Sequence, residues 1–253
     1  MEWFDQTIQN QTSKTREWTG AFFQNEFKLG IGEYDLPNFT TWSADMPLLE
    51  NGAYMFELCR NLKTFSGDLS SLIDGYSMFN SCDLSTFSTS NLDSLIDGDF
   101  MFNDCSLSVF STSMKSLVSA QSMFSSNDLL TTFGSDLTSL KNGAFMFSSC
   151  TALSTFTSPS LKNLLSGYYM FYGCKLNSSS LTHIANVIND ISGLDKNIEN
   201  NWKYISHGQE YTMSTDARGT MHVTVASSVT AAQKNTFTSS MAAKGWNVIF
   251  LNY

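Results

Sequence analysis

Apolar residues recur in fixed columns along the middle of the chain. Met55-Phe56, Met78-Phe79, Met101-Phe102, Met123-Phe124, Met146-Phe147 and Met170-Phe171 follow one another at steps of 23, 23, 22, 23 and 24 residues. Four residues after each Met stand Cys59, Cys82, Cys105, Asn127, Cys150 and Cys174, and three residues before it Gly52, Gly75, Gly98, Ala120, Gly143 and Gly167. Two more apolar columns precede the glycine: Leu49, Leu72, Leu95, Leu117, Leu140, Leu164, and Met46, Leu69, Leu92, Met114, Leu137, Leu161. A phenylalanine follows each of the first five Cys/Asn positions, at 65, 87, 110, 133 and 156. A unit of this size buries its apolar side only against its neighbours, so the pattern predicts a stack with a continuous shared core.

Steps of three from Met46 through Met55 predict a 3₁₀ or loose helical turn, in which residues i and i+3 eclipse. The glycine between them answers either a positive φ or close approach of the next coil. Ser/Thr-rich pieces such as Leu84-Ser85-Thr86-Phe87-Ser88-Thr89 predict an extended side. The expected fold is therefore an α/β repeat solenoid: six coils of about 23 residues, each with a short parallel strand and brief helical turns, at about 4.8 Å per coil.

Residues 1–38 form a separate aromatic segment, with Trp3, Phe4, Trp18, Phe22 and Phe23 as candidate attachment residues or as a cap on the first coil. Residues 39–180 are the repeats, and 181–253 a C-terminal α/β capping region. There Leu181, Ile184, Val187, Ile188 and Ile191 predict a helix ending at Gly193. Met221–Val225 predicts a strand, Thr230–Lys244 a helix stopped by Gly245, and Trp246–Leu251 a closing strand.

Composition narrows the chemistry. Only 15% of residues are charged and the net charge is -9, so a phosphate-backbone binder is not expected. No basic leader region opens the chain and no run of 18 apolar residues occurs in it, which predicts neither a signal peptide nor membrane insertion. The five cysteines share one repeat column with Asn127, which predicts reduced, buried thiols. His183, His207 and His222 show no ligand spacing with them, so neither metal nor cofactor is expected.

Cys82-Asp83-Leu84, Cys105-Ser106-Leu107 and Asn127-Asp128-Leu129 match the Asn/Cys-x-Leu element of leucine-rich repeats; Cys59 with Leu62 and Cys150 with Leu153 carry one extra residue. The whole pattern, Met-Phe-x-x-Cys-x-Leu-x-x-Phe followed by Leu-x-x-Leu-x-x-Gly, resembles the leucine-rich-like Met-Phe-x-x-Cys repeats of bacterial and gut-bacteriophage surface proteins, the BspA-like repeats among them. The likeness covers residues 46 to 176, and the ending Lys244-Gly245-Trp246 is similar to the final segment of such proteins. It implies a right-handed leucine-rich-repeat-like solenoid on a virion or, alternatively, on a bacterial cell surface. One departure is that Ser/Thr replaces much of the Asp-rich segment that usually follows the Cys.

The non-core positions beside each glycine carry Tyr54, Tyr76, Phe100, Phe145, Tyr168 and Tyr169, with Asp74, Asp97 and Asp99 near them. If they face outward they form an aromatic ladder suited to a glycan or protein receptor; otherwise they pack the flank of the stack. Asp74 and Asp97 stand at equal places in successive units, but repeat geometry alone explains that spacing, and no phosphate loop or nucleophile motif accompanies them. The expected function is non-enzymatic: a structural or host-attachment component of a phage particle, bound to other virion proteins through residues 1–38. A bacterial adhesin or protein-interaction domain is the alternative.

Overall fold

The computed structural model describes residues 39–206 and 208–252; the candidate attachment residues Trp3, Phe4, Trp18, Phe22 and Phe23 lie outside them. Short parallel strands recur through the repeats: β1 (Thr41–Trp42), β2 (Thr64–Ser66), β3 (Thr86–Ser88), β4 (Val109–Phe110), β5 (Thr132–Phe133) and β6 (Thr155–Phe156). They pair in two sheets, β1-β2-β3 and β4-β5-β6, always with the equivalent residue of the next unit, as in Phe65↔Phe87 and Phe133↔Phe156. A second line of parallel bridges runs Asn51↔Asp74↔Asp97↔Ser119↔Asn142↔Ser166. The fold is β-rich, repetitive and sparing of helix.

Every Met, Leu and Phe of the columns between Met46 and Phe171 is buried save Phe87, which is half-buried. The Met-Phe rings form one stacked file: Phe56, Phe79, Phe102, Phe124, Phe147 and Phe171 follow at 5.2–5.7 Å with planes within 15°. The file of Phe65, Phe87, Phe110, Phe133 and Phe156 interleaves with it edge-on, closest at 4.7 Å between Phe110 and Phe124 and between Phe133 and Phe147.

The expected helical turns are β-turns instead. Leu49 N–H donates to Met46 O, Met55 N–H to Gly52 O and Cys59 N–H to Phe56 O, while the alternate donors Gly52, Tyr54, Phe56 and Leu58 reach across to Asp74, Tyr76, Met78 and Asn80. A helix cannot give every second N–H to a neighbour, so between residues 39 and 176 no helical segment occurs. The two turns closed by Met55 and Cys59, and their equivalents, have a left-handed third residue, as type II turns require. Non-glycine residues supply it: Tyr54 and Leu58, Ser77 and Ser81, Phe100 and Asp104, Ser122 and Ser126, Phe145 and Ser149. The column glycines answer close approach, not φ: a Cβ on Gly75 would lie 2.8 Å from Met101 Sδ.

The cysteines are free and buried. Cys82, Cys105, Cys150 and Cys174 donate from Sγ to the carbonyl of Phe56, Phe79, Phe124 and Phe147 in the preceding unit. Asn127 makes the same bond with its amide, to Phe102 O at 2.7 Å, and its Oδ1 accepts from Leu107 N–H. Its match to the short Asn-x-Leu spacing is corrected: Leu129 is 58% exposed and Leu130 fully buried, so Asn127 follows the longer spacing of Cys59 and Cys150. Burial pushes the Cys59 and Cys150 thiols up to about 12, and Cys82, Cys105 and Cys174 also upward. Thiolate, the reactive form, is therefore scarce at pH 8. An aromatic disulfide reagent is expected to titrate no thiol rapidly in the native protein and all five in guanidinium; a fast native thiol would contradict the buried column.

After the repeats, β7 (Gly167–Leu176) leads into α1 (Ser178–Val187), then a 3₁₀ turn (Glu199–Trp202), β8 (Lys203–Ser206), β9 (Gln209–Thr212), β10 (Thr220–Val225), α2 (Ala231–Ala242) and β11 (Asn247–Phe250). Strand β10 lies parallel between β7 and β11. The last repeat thus continues its pairing directly onto the C-terminal region. Helix α1 starts before residue 181, where Asn177 Oδ1 accepts from Ser180 N–H, and stops at Val187, short of Gly193, because Ile188 turns extended and bridges Leu161. The antiparallel β8–β9 hairpin has no counterpart in the sequence reading. No helix of the described residues is long and apolar enough to cross a membrane.

Candidate functional site

The flank beside the Gly-x-x-Met-Phe segments is organised by side chains that accept from the N–H two residues on. Asn51, Asp74, Asp97 and Asn142 Oδ1 accept from Ala53, Tyr76, Asp99 and Ala144 N–H at 2.9–3.1 Å. These are Asx turns, and they give the equal placement of Asp74 and Asp97 a structural origin. Ser166 Oγ accepts likewise from Tyr168 N–H at 3.3 Å, and the Ser119 unit is the exception. Gln121 N–H turns back to Asp99 Oδ1 of the preceding unit at 2.6 Å, and Ser119 Oγ donates to the same oxygen at 2.7 Å. Asp99 is buried as a result.

Tyr54, Tyr76, Phe100, Phe145, Tyr168 and Tyr169 are all half-exposed, but they form two groups. In the first, Tyr76 bridges Tyr54 at 5.1 Å and Phe100 at 5.9 Å. In the second, Tyr169 lies face to face with Phe145 at 5.2 Å on one side and with His222 at 4.2 Å on the other, and Tyr168 meets each of these rings edge-on. Tyr169 N–H also donates to His222 Nδ1. His222 escaped the sequence reading because it reads as one more position of an alternating strand. Only the pairing of β10 with β7 brings it here.

Between the groups the unit of Gln121 and Ser122 has no ring. Gln121 occupies the place held by Tyr76 two units earlier. Among the described residues Phe100 meets only the ring of Tyr76, and Phe145 only those of Tyr168 and Tyr169. No ring contact therefore crosses the unit of Gln121 among the described residues. Two units at about 4.8 Å separate them by about 10 Å. A flat ring touched on both faces at carbon contact distance needs about 7–8 Å, so the slot admits something thicker, such as a puckered sugar ring. Phe100 and Phe145 also hold positive φ, 60° and 57°. The equivalent residues Tyr54, Ser77, Ser122 and Tyr169 share this conformation, which belongs to the repeated turn.

Of the two arrangements left open by the sequence, facing outward or packing the flank, Asp97 and Asp99 follow the second: they are 3% and 4% exposed. The cover comes from far along the chain. Ser206 Oγ, at the end of β8, lies 2.9 Å from Asp97 Oδ2 and 2.7 Å from Asp99 Oδ2. Burial first, then the Asp97 charge, push the Asp99 carboxyl up to about 6. Burial likewise raises Tyr204, beside the two aspartates, to about 12. Asp74 stays half-exposed. Among the described residues no group of three or more His, Cys, Asp or Glu side chains is placed to hold a metal ion.

The flank is thus a broken aromatic ladder with a slot at Gln121, closed over on its carboxylates by the β8–β9 hairpin. No family model matches the chain, and no curated protein or solved structure matches it either.

Proposed function

We propose that the chain is a non-enzymatic recognition module whose repeats form a right-handed, leucine-rich-repeat-like solenoid of six coils, and that it binds a glycan in the slot between Phe100 and Phe145. The observation that carries this reading is the missing ring at Gln121: among the described residues no ring contact crosses this unit between Phe100 and Phe145, where an amide and a hydroxyl side chain, Gln121 and Ser122, replace the aromatic ones. Aromatic walls with a few polar groups suit a pyranose, which has apolar faces and a hydroxyl rim. Tyr169, covered on both faces by Phe145 and His222, supports the wall and offers only its edge.

The resemblance of the Met-Phe-x-x-Cys pattern to repeats of phage and bacterial surface proteins, together with the low charge and Ser/Thr-rich surface, supports a place on a phage particle as a tail or head appendage. The same resemblance favours a bacterial adhesin as the second reading. Mass spectrometry of purified particles separates them, and absence of the chain from particles removes the first.

Gln121→Tyr tests the slot. A tyrosine there is expected to bridge Phe100 and Phe145 as Tyr76 bridges Tyr54 and Phe100, adding about 0.5–1.5 kcal/mol of stability. On a glycan array the same variant is expected to lose binding at least tenfold, and Phe145→Ala to lose about three- to tenfold, the equivalent of one stacking contact. Wild-type binding by Gln121→Tyr, or no glycan bound by the wild type, overturns the reading.

A further inference from the structure

Strand β1 lies ahead of the first Met-Phe pair, yet it pairs Thr41↔Thr64 and Trp42↔Phe65 just as β2 pairs with β3. Trp42 thus holds the place of Phe65 in a unit of its own. Buried Trp42 and half-buried Phe39 meet the ring of Phe56, at 5.1 and 6.3 Å. The far half of a unit is therefore already packed on the core, and its Gly-x-x-Met-Phe half falls among residues 1–38, outside the described residues.

The first coil has a vacant set of acceptors on that side. In later units alternate carbonyls accept from the unit before: Asp74, Tyr76 and Met78 O take the N–H of Gly52, Tyr54 and Phe56, and Asp97, Asp99 and Met101 O those of Gly75, Ser77 and Phe79. The equivalent carbonyls of Asn51, Ala53 and Met55 receive no donor among the described residues, although Ala53 is 3% and Met55 1% exposed. Buried carbonyls are seldom left so. The side chains ask for the same neighbour. A Cβ on Gly52, Gly75 or Gly143 would lie 2.8–3.2 Å from the Sδ of Met78, Met101 or Met170, so each Met packs on the glycine of the preceding unit, and Met55 needs one too.

We propose that residues 24–42 are a seventh, N-terminal unit of the stack, with residues 30–37 seated on this edge of the first coil. Counted back 22 residues, a step the repeats themselves use, Phe27, Gly30 and Tyr34 stand at the places of Leu49, Gly52 and Phe56. Pro37 takes the Cys place, and Phe39 and Trp42 follow it at the spacing of Leu84 and Phe87 after Cys82. The amides opposite Asn51, Ala53 and Met55 are then those of Gly30, Gly32 and Tyr34, and Pro37 falls beyond them. Gly32 stands where Tyr54 is left-handed, the turn place that glycine fills best. Glu33 replaces the Met, whose column points toward the preceding unit; in a terminal unit it faces outward, where a charge is suited to an end cap. The segment runs into β1 without a loop, which favours it over a second copy as the occupant. The proposal is independent of the glycan reading. It places Trp3, Phe4, Trp18, Phe22 and Phe23 ahead of the unit, so an attachment role narrows to residues 1–23.

Hydrogen exchange of the full chain tests it. Peptides covering 29–37 are expected to exchange about a hundredfold or more slower than an unstructured segment. Gly30→Leu puts a side chain where Met55 packs and is expected to speed exchange of 29–37 at least tenfold while 137–156 stays level. Gly32→Ala, one methyl at a left-handed place, is expected to speed it about fivefold, and decides the matter if Gly30→Leu does not fold. Both signs reverse if the segment is a helix, since alanine and leucine favour a helix over glycine. Unprotected 29–37 in the wild type, exchange unchanged or slowed by Gly32→Ala, or protection of 51–58 that falls on dilution, as a second copy on this edge would give, overturns the proposal.

Discussion

Phe124→Ala is expected to destabilise the protein by about 3–5 kcal/mol, the range for removing a fully buried phenylalanine. Phe124 is fully buried, inside the Met-Phe file and edge-on to the second file. It stacks on Phe102 at 5.4 Å and Phe147 at 5.7 Å, and meets Phe110 at 4.7 Å and Phe133 at 5.4 Å. Alanine preserves the backbone, so the carbonyl that accepts from Cys150 and Asn127 keeps its partners. The loss is of packing, and the ring file leaves little freedom to collapse into the gap, since each neighbour is already stacked on its far side. In repeat folds stability is passed between nearest neighbours, so the cut also weakens the coupling between the units before and after it. Phe87→Ala, at a half-buried ring, is the internal comparison and is expected to cost about 1–2 kcal/mol. Urea unfolding measures both. A Phe124→Ala cost under 1 kcal/mol, or one equal to that of Phe87→Ala, would show that the ring files are not the principal core.

The columns that build this core were legible because burial in a repeat depends on position within the unit, and position is printed in the spacing. Even the interchange of Cys and Asn was readable, since a thiol and an amide both donate to the carbonyl of the preceding phenylalanine. What the spacing hid was the backbone. Apolar residues three apart suit a 3₁₀ turn and a run of β-turns equally. The two differ in a left-handed third residue, which here is Tyr54, Leu58 or Phe100 instead of the glycine that would have signalled it. A similar ambiguity hid Leu130 behind Leu129, since one inserted residue in the turn moves burial along by one. The candidate site was half legible. Tyr54, Tyr76, Phe100, Phe145, Tyr168 and Tyr169 do share a flank, and their interruption at Gln121 is visible in the repeat alignment. The burial of Asp97 and Asp99 was not, because their cover, Ser206, lies more than a hundred residues away in a hairpin outside the repeat.

Gly245→Ala is expected to cost about 3 kcal/mol or more, from two sources that can be separated. Helix α2 ends in a Schellman motif: Gly245 N–H donates to Ala242 O and Trp246 N–H to Met241 O, with Gly245 at φ 83°. An alanine in this left-handed position costs about 1 kcal/mol. The added methyl would also lie 2.7 Å from Ser192 N and 2.9 Å from Ile191 C, which are backbone atoms with no rotamer to yield. That segment is pinned from both sides, by Ile191 N–H donating to Lys244 O and by Trp246 Nε1–H donating to Asn189 O, so relieving the contact means parting α2 and β11 from the chain after α1. Gly245→Asn tolerates the left-handed backbone but carries the same Cβ. It is expected to recover about 1 kcal/mol and no more, with Gly193→Ala, whose methyl meets nothing within 4 Å, as the neutral control. Full recovery by asparagine would assign the whole cost to φ and dismiss the contact. Partial recovery, with lost exchange protection confined to α2 and β11, would show that this glycine closes the C-terminal end by letting two backbones touch.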